Sequence, residues 1–381
     1  LMKFSQTDIQ NMAVDSIQRF AKEQILPIAQ SYKDQHIEKE KMREILASIE
    51  PFGLMNGPIE EEFGGYALEN TTTGLMFFEL AKASPDIAIP CLIQLIAAKL
   101  LVIAPEHIRE KYLTDVMSGK KIASVAMSEP SVGSEVTAVS CRAKEDGDDL
   151  IINGEKTWIC NGDYADFVIA LVRMNDHPVK GLALVVIDRE DGFRSADIHK
   201  MALNSQSTAQ LFFDGIRVPK ANILSPAGDA LKTMLIQLQA SRPIVAMMAL
   251  GAAQSAIEHG LAYALDRKQY GKPIAGHQTV QNYFAESATK LKAGKLLALS
   301  ALDSIDEGKR SDVDAAMAKW YGTEVAKEII DSMVQVHGAS GICSEYPVEY
   351  LYRAVRIYAF TEGTTEMQKL MIGRAMTGID A

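Results

Sequence analysis

Cysteine is scarce in this chain: Cys91, Cys141, Cys160 and Cys343 are the four in 381 residues. Their scatter has neither metal-ligand nor redox-motif spacing. That excludes a disulfide framework and points to a reducing compartment, and no metal site is expected. Positive charge is also short. With 39 Lys and Arg against 49 Asp and Glu, the formal net charge is −10, which argues against nucleic acid and anionic membrane as main partners. No run of about 18 apolar residues suggests a membrane span. Residues 87–103 come nearest, but Lys99 interrupts them and Pro90 sits near their start, so a buried helix is expected. A Gly-x-Gly-x-x-Gly run after a strand is missing, which counts against a Rossmann fold. The start, Leu1-Met2-Lys3-Phe4, carries no signal or transit pattern. Met2 is read as the native start and the bacterial cytoplasm as the setting, with a mitochondrial matrix left open if a transit peptide was removed.

What is present suits a soluble chain of two or three domains sharing a large core: 48% of residues are hydrophobic and 23% charged. Residues 1–121 read as a helical domain. Ile9, Met12, Ala13, Ile17, Phe20 and Ala21 recur at helical spacing, residues 43–49 and 72–83 look similar, and Gly64-Gly65 marks a tight loop. Residues 122–226 read as a small antiparallel β-domain. Asn153-Gly154 between two apolar runs is a hairpin signal, and residues 167–172, 182–187 and 211–213 read as further strands. Residues 227–381 read as a helical bundle, with long helices over 246–266, 283–307 and 313–337 whose wide apolar faces suit subunit contacts. The expected fold is therefore mostly α with a central β-domain.

Chemistry is carried by a few segments. In Ile357-Tyr358-Ala359-Phe360-Thr361-Glu362-Gly363-Thr364, an acidic residue follows a mostly apolar run and precedes a glycine that lets the backbone turn tightly. A carboxylate so placed can be desolvated into a stronger base. In Ala126-Met127-Ser128-Glu129-Pro130-Ser131-Val132-Gly133-Ser134-Glu135, a strand runs into a loop of small residues. Backbone groups there can approach a flat ligand, and two hydroxyls offer hydrogen bonds. Trp158-Ile159-Cys160 lies on a strand. Asp266-Arg267-Lys268-Gln269-Tyr270-Gly271-Lys272-Pro273-Ile274, with His277-Gln278 beyond, offers a guanidinium suited to a diphosphate. Gln335-Val336-His337-Gly338-Ala339-Ser340-Gly341 closes the last long helix. Singly, these read as plain turns, a core tryptophan and a solvated helix end.

Together and in this order they resemble the acyl-CoA dehydrogenase family over essentially the whole chain. The first loop is similar to its Thr-Glu-Pro-x-x-Gly-Ser-Asp signature, the second segment to Trp-Ile-Thr or Trp-Ile-Ser, and the third to Tyr-x-x-x-Arg-x-Gln-Phe-Gly-x-Pro-Ile. The fourth resembles Gln-x-x-Gly-Gly-x-Gly. The resemblance implies an N-terminal helical domain, a small β-domain and a C-terminal four-helix bundle, with FAD as cofactor. Val125, Met127, Ser128, Gly133, Ser134, Trp158, Ile159 and Cys160 would line the flavin, and Ser134 would also meet the CoA. Arg267, Gln269, Tyr270, His277, Gln278, Gln335, Gly338 and Ala339 would reach the FAD of a neighbouring subunit in a homotetramer, a dimer of dimers. Thr364 and Glu366 would contact the cofactor. Glu362 would be the catalytic base, with Ser241, Arg242, Thr361 and Gly363 beside the substrate.

Three positions depart from the pattern. Cys160 stands where a hydroxyl is usual, Ala339 where a glycine is, and Thr361 where many fatty-acyl members carry tyrosine. The last admits a branched, cyclic or polar acyl group. Some branches carry the base just before the arginine equivalent to Arg242; Ser241 cannot serve, which leaves Glu362. Asp86 is read as a helix cap, with the cavity floor as the alternative. The implied reaction is α,β-dehydrogenation of an acyl-CoA to the trans-2-enoyl thioester, with electrons passed to an electron-transferring flavoprotein. Related oxidases carry a long further C-terminal domain, whereas this chain stops at Ala381. A carrier-protein thioester, an enoyl-CoA reductase and a non-catalytic flavin-binding protein remain the alternatives.

Overall fold

A capping box starts the first helix, α1 (Asp8–Phe20): Thr7 Oγ1 accepts from the Gln10 amide, and the Gln10 side chain accepts from the Thr7 amide. The computed structural model describes residues 6–379; the expected start at Met2 and the terminal Ala381 lie outside them. The buried stripe runs through Gln10, Ile17, Ala21 and Ile25, so Ile9 and Met12, expected on the inner face, are exposed. The helical region continues with α2 (Leu26–Tyr32), α3 (Lys39–Ile49), α4 (Asn70–Ala83), α5 (Pro85–Val102) and α6 (Glu106–Met117). By length and composition α5 could cross a membrane, as could α7 (Ala230–Asp266), but most of their side chains are packed in the core. Ser84 caps α5 by accepting from the Ile87 amide. Asp86 is therefore not the cap; it is buried within the first turn and accepts from the Tyr350 hydroxyl.

An eight-stranded sheet follows: β1 (Ala123–Ala126), β2 (Arg142–Asp146), β3 (Asp149–Cys160), β4 (Phe167–Arg173), β5 (Leu182–Asp188), β6 (Arg194–Asp197), β7 (Thr208–Pro219) and β8 (Ile223–Ser225). Its order is β6-β7-β3-β2-β4-β5-β8, with β1 beside β4. Most pairings are antiparallel, but β1 and β2 each run parallel to β4, because long excursions separate them in sequence. Asn153-Gly154 is not a hairpin turn. It lies inside β3 at a register shift, a bulge opposite β7, and Gly154 is needed there: a Cβ would come within 2.7 Å of the Cys141 Cα. The hairpin turns instead at Gly147-Asp148, between the paired residues Asp146 and Asp149.

The remaining chain is α7, a short two-stranded ribbon of β9 (Lys268–Gln269) and β10 (Lys272–Pro273), α8 (Gln278–Asp306), α9 (Asp312–His337), α10 (Pro347–Ala354) and α11 (Thr365–Thr377). The expected helix at 246–266 begins at Ala230, since Pro243 sits inside it rather than ending it. Ser241 and Arg242 are thus mid-helix. One node joins all three regions. Asp34 accepts from the Asn204 amide at 2.7 Å and its side-chain amide at 3.1 Å, and from Arg353 Nη1 at 3.4 Å.

Candidate active site

Glu362 stands in a left-handed turn, with φ of +57° there and +93° at Gly363. For a residue with a side chain this costs on the order of 1–3 kcal/mol and needs support from its surroundings. Helices α7, α9 and α11 supply it. Arg242 Nε donates to the Glu362 carbonyl at 3.1 Å. Gln368 Nε2 donates to the carbonyls of Glu362 and Gly363 at 3.2 and 3.0 Å. Lys319 Nζ donates to the carbonyls of Ala359 and Gly363 at 3.0 and 2.6 Å. A Cβ on Gly363 would come within 2.7 Å of Gln368 Nε2, so glycine is required there. Thr364 caps α11 by accepting from the Met367 amide.

The carboxylate itself is engaged on one side. Ser241 Oγ donates to Glu362 Oε2 at 2.7 Å, while Oε1 accepts no hydrogen bond among the described residues. Ser241 therefore touches Glu362 instead of substituting for it. Arg242, expected beside the substrate, lies inside α7 and bonds the backbone carbonyl of Glu362. The Glu362 amide donates to no protein group among the described residues. Lys319 and Gln368 are absent from the sequence-based set. No sequence signal marks Lys319; the burial of Ala315, Ala316, Gly322 and Thr323, one turn either side, appears only in the fold. Burial brings its pKa down to about 8, against the opposing pull of Glu362.

A second group lies on the sheet. Val125 lies within β1; Met127 and Ser128 are half-buried, and Gly133 and Ser134 are exposed. A Cβ placed on Gly133 meets nothing within 4 Å. The Thr157 amide donates to the Ser128 carbonyl at 2.9 Å, tying this loop to β3. Beneath it, Lys156 Nζ meets Glu129 Oε1 at 2.9 Å, and both side chains are buried. Lys156 also donates to the Met127 carbonyl, and Glu129 accepts from Ser140 and the Cys141 amide. Burial pushes the Glu129 carboxyl up, but Lys156 and these donors outweigh it and hold it below the ordinary range. Trp158 is 63% exposed at a φ of +60°, an outlier for so bulky a side chain. Ile159 is buried. Burial pushes the Cys160 thiol up to about 11, within electrostatic reach of Glu362, so at neutral pH it is an uncharged, weak donor.

A third group sits at the far end of the bundle. Arg267, Gln269, Tyr270, His277 and Gln278 lie on or beside the α7–α8 connection, and Gln335, Gly338 and Ala339 at the end of α9. Tyr263 stacks on His337 with ring centroids 4.4 Å apart, which brings the two segments together. Arg267 forms no ion pair among the described residues, and Tyr270 is 95% exposed. Arg242 and Asp266 share one helix and are about 36 Å apart at ~1.5 Å per residue. Within one chain this third group is therefore remote from Glu362. Glu366 is exposed on α11, and Thr361 is half-buried beside the turn.

Three family models match in chain order: the N-terminal, middle and C-terminal domains of acyl-CoA dehydrogenase, over residues 7–120, 124–216 and 230–377. The chain belongs to the acyl-CoA dehydrogenase family. It is a flavin-dependent oxidoreductase with that family's N-terminal helical, middle β and C-terminal helical domains. Among curated proteins it is 32% identical to the probable acyl-CoA dehydrogenase YngJ of Bacillus subtilis, covering 98% of this chain and 100% of that one. It is 31% identical to the caffeyl-CoA reductase-Etf complex subunit CarC of Acetobacterium woodii, over 87% and 88% of the two chains. Among solved structures, a glutaryl-CoA dehydrogenase from Mycobacterium smegmatis in complex with FADH2 superposes with a TM-score of 0.92 at 25% identity, covering 99% of this chain and 96% of that one.

Proposed function

We propose that this enzyme binds FAD and removes hydrogen from the α and β carbons of an acyl-CoA, giving the trans-2-enoyl thioester and passing electrons to an electron-transferring flavoprotein. The observation that carries the reading is the Glu362 carboxylate, fixed by Ser241 at one oxygen and open at the other. Its backbone is pinned by three buried side chains, Arg242, Lys319 and Gln368.

The residues fit the cofactor. A flat ring system needs a flat wall and open backbone: the exposed Trp158 and the free space beside Gly133 supply both. A diphosphate needs an unpaired cation, and Arg267 forms no ion pair among the described residues. When bound, FAD supplies the acceptor for the β-hydrogen as hydride. Val125, Met127, Ser128, Ser134, Trp158, Ile159 and Cys160 would hold its ring, with Thr364 and Glu366 from the C-terminal side. Arg267, Gln269, Tyr270, His277, Gln278, Gln335, Gly338 and Ala339 are too distant along α7 to serve the same chain. They would complete a neighbour's site, which calls for at least a dimer, and we read the assembly as a homotetramer of two dimers.

Glu362 Oε1 takes the α-proton. The Glu362 amide, free of protein acceptors, donates to the thioester carbonyl and stabilises negative charge as the proton leaves. Ser241 keeps the carboxylate from rotating away, and Thr361, Arg242 and Gly363 shape the substrate side. The turn holds base and amide in fixed relation, so little reorganisation is needed. The same geometry serves the reverse direction, which the name of the Acetobacterium relative favours as a second reading. Anaerobic titration with a panel of acyl-CoAs tests the proposal. Bleaching of a bound flavin is expected, and a protein that stays colourless with FAD, or a flavin that no thioester bleaches, would overturn it.

A further inference from the structure

Burying a polar atom without a partner is unfavourable, so a group of them in one place calls for an explanation. On α5, the 199–208 segment and the turn of Glu362, four side-chain atoms, Asp86 Oδ1, Gln206 Oε1, Tyr358 OH and Thr361 Oγ1, are buried and without a partner among the described residues. Asp86 is 4% exposed, Tyr358 1% and Gln206 0%.

Short connections link the segments that carry these atoms. Tyr358 and Thr361 precede Glu362 on the turn that carries it. Asp86 and Tyr358 feel each other electrostatically, as do Cys160 and Glu362. Pro90, one turn beyond Asp86 on α5, presents its carbonyl to Asn161, the neighbour of Cys160. Gln206 Nε2 donates to Thr208 Oγ1, and Thr208 pairs with Cys160 across the sheet. Ser205 lies against Asp86, and Tyr350 donates to its other oxygen. The side chains from Asp86 to Glu362 thus stand on segments joined by these contacts, with Tyr358 and Thr361 on the turn of the base itself.

The chemistry of the atoms is one-sided. A carboxylate oxygen and an amide oxygen only accept, and the two hydroxyls turn either way. A group that donates hydrogen bonds among them would satisfy all four. A saturated hydrocarbon tail would leave all four unsatisfied, and a carboxylate tail would set like charges together.

We infer that the acyl group of this enzyme's substrate carries a hydrogen-bond donor, a hydroxyl or an amine, beyond the β-carbon, received by Asp86 and Tyr358. The inference rests on the proposed thioester oxidation and adds the substrate class.

The test uses the FAD-loaded enzyme and anaerobic flavin reduction by butanoyl- and hexanoyl-CoA. Alongside them run their terminal hydroxy and amino counterparts and the matching dicarboxylic mono-thioesters, succinyl- and adipoyl-CoA. At one of the two lengths the hydroxy or amino thioester should reduce the flavin at roughly 10- to 100-fold lower concentration than the plain chain, the range expected for a hydrogen bond to a charged group. The dicarboxylic thioesters should be poorest. Asp86→Asn, which exchanges a charged acceptor for a neutral amide, should shrink the preference while the plain chain still reduces the flavin. Tyr358→Phe, which keeps the ring and the packing, should reduce the preference and serves where Asp86→Asn does not fold. Plain or carboxylate-ended chains favoured over the donors, or a preference untouched in both variants, would overturn the inference and leave the thioester reading standing. If no thioester bleaches the flavin, both fall.

Discussion

At Glu362, shape and proton affinity can be separated. Glu362→Gln keeps the Ser241 contact and the turn but removes the proton acceptor. Flavin reduction should fall on the order of 10²–10⁴-fold, while the yellow colour and ligand binding persist; reduction at near wild-type speed would place the base elsewhere. Lys319 acts through the turn, as a positioning residue. Lys319→Met leaves the Ala359 and Gly363 carbonyls without their donor, so flavin reduction should slow by roughly tenfold or more, with Glu362→Gln setting the floor. Its charge has a second signature. The folded ammonium releases its proton near pH 8, below the ordinary lysine value of 10.5. Between these values the unfolded chain holds the extra proton, so stability should rise with pH. Denaturation of wild type and Lys319→Met at both ends of the window should show wild type gaining on the variant by at most about 3 kcal/mol. No gain would mean that the ammonium is not desolvated. Glu362 was legible in the sequence because an apolar run ends on an acid and a glycine. Lys319 was not, because one lysine among alanines looks the same whether the helix face is wet or dry. Asp86 was misread for a related reason: an acid at a helix start is the usual cap, and only the fold reveals that Ser84 has taken that duty.

Among the elements, the loop from β1 rests on the Glu129–Lys156 pair. Breaking a buried pair by removing one partner costs about 3–5 kcal/mol, since the other charge stays behind in the core. Lys156→Met should therefore lower the denaturation midpoint sharply and also weaken FAD retention, because Met127 loses its donor as well. Glu129→Gln with Lys156→Met together should recover part of the stability. If the double variant is no better than the single, the pair is not the support. The long helices were readable from their apolar periodicity, but the first turns of α7 were not. Leu235 and Ile236 are exposed and Pro243 looks like an ending. Asn153-Gly154 shows the limit of a dipeptide rule, since the same two residues that make a hairpin turn can also make a bulge, and only the partner strand decides.

For the whole molecule, assembly and cofactor retention should be linked. Leu261, Leu265, Tyr270 and Ile342 leave apolar surface open near Arg267 and Gln335. Tyr270→Glu places a charge on that surface and should disperse the expected tetramer, with most of the flavin lost on gel filtration although Glu362 is intact. Light scattering read beside the flavin absorbance checks this. A fully active monomer would contradict it.

The Asp34 node sets a rule for anyone recombining this enzyme with its relatives. A middle domain transplanted without Asn204 would strand a half-buried carboxylate in the recipient, and one transplanted with Asn204 into a host lacking Asp34 or Arg353 would fit no better. The three positions travel as a set, so a chimera should be cut by that triad and not by the apparent gaps between domains.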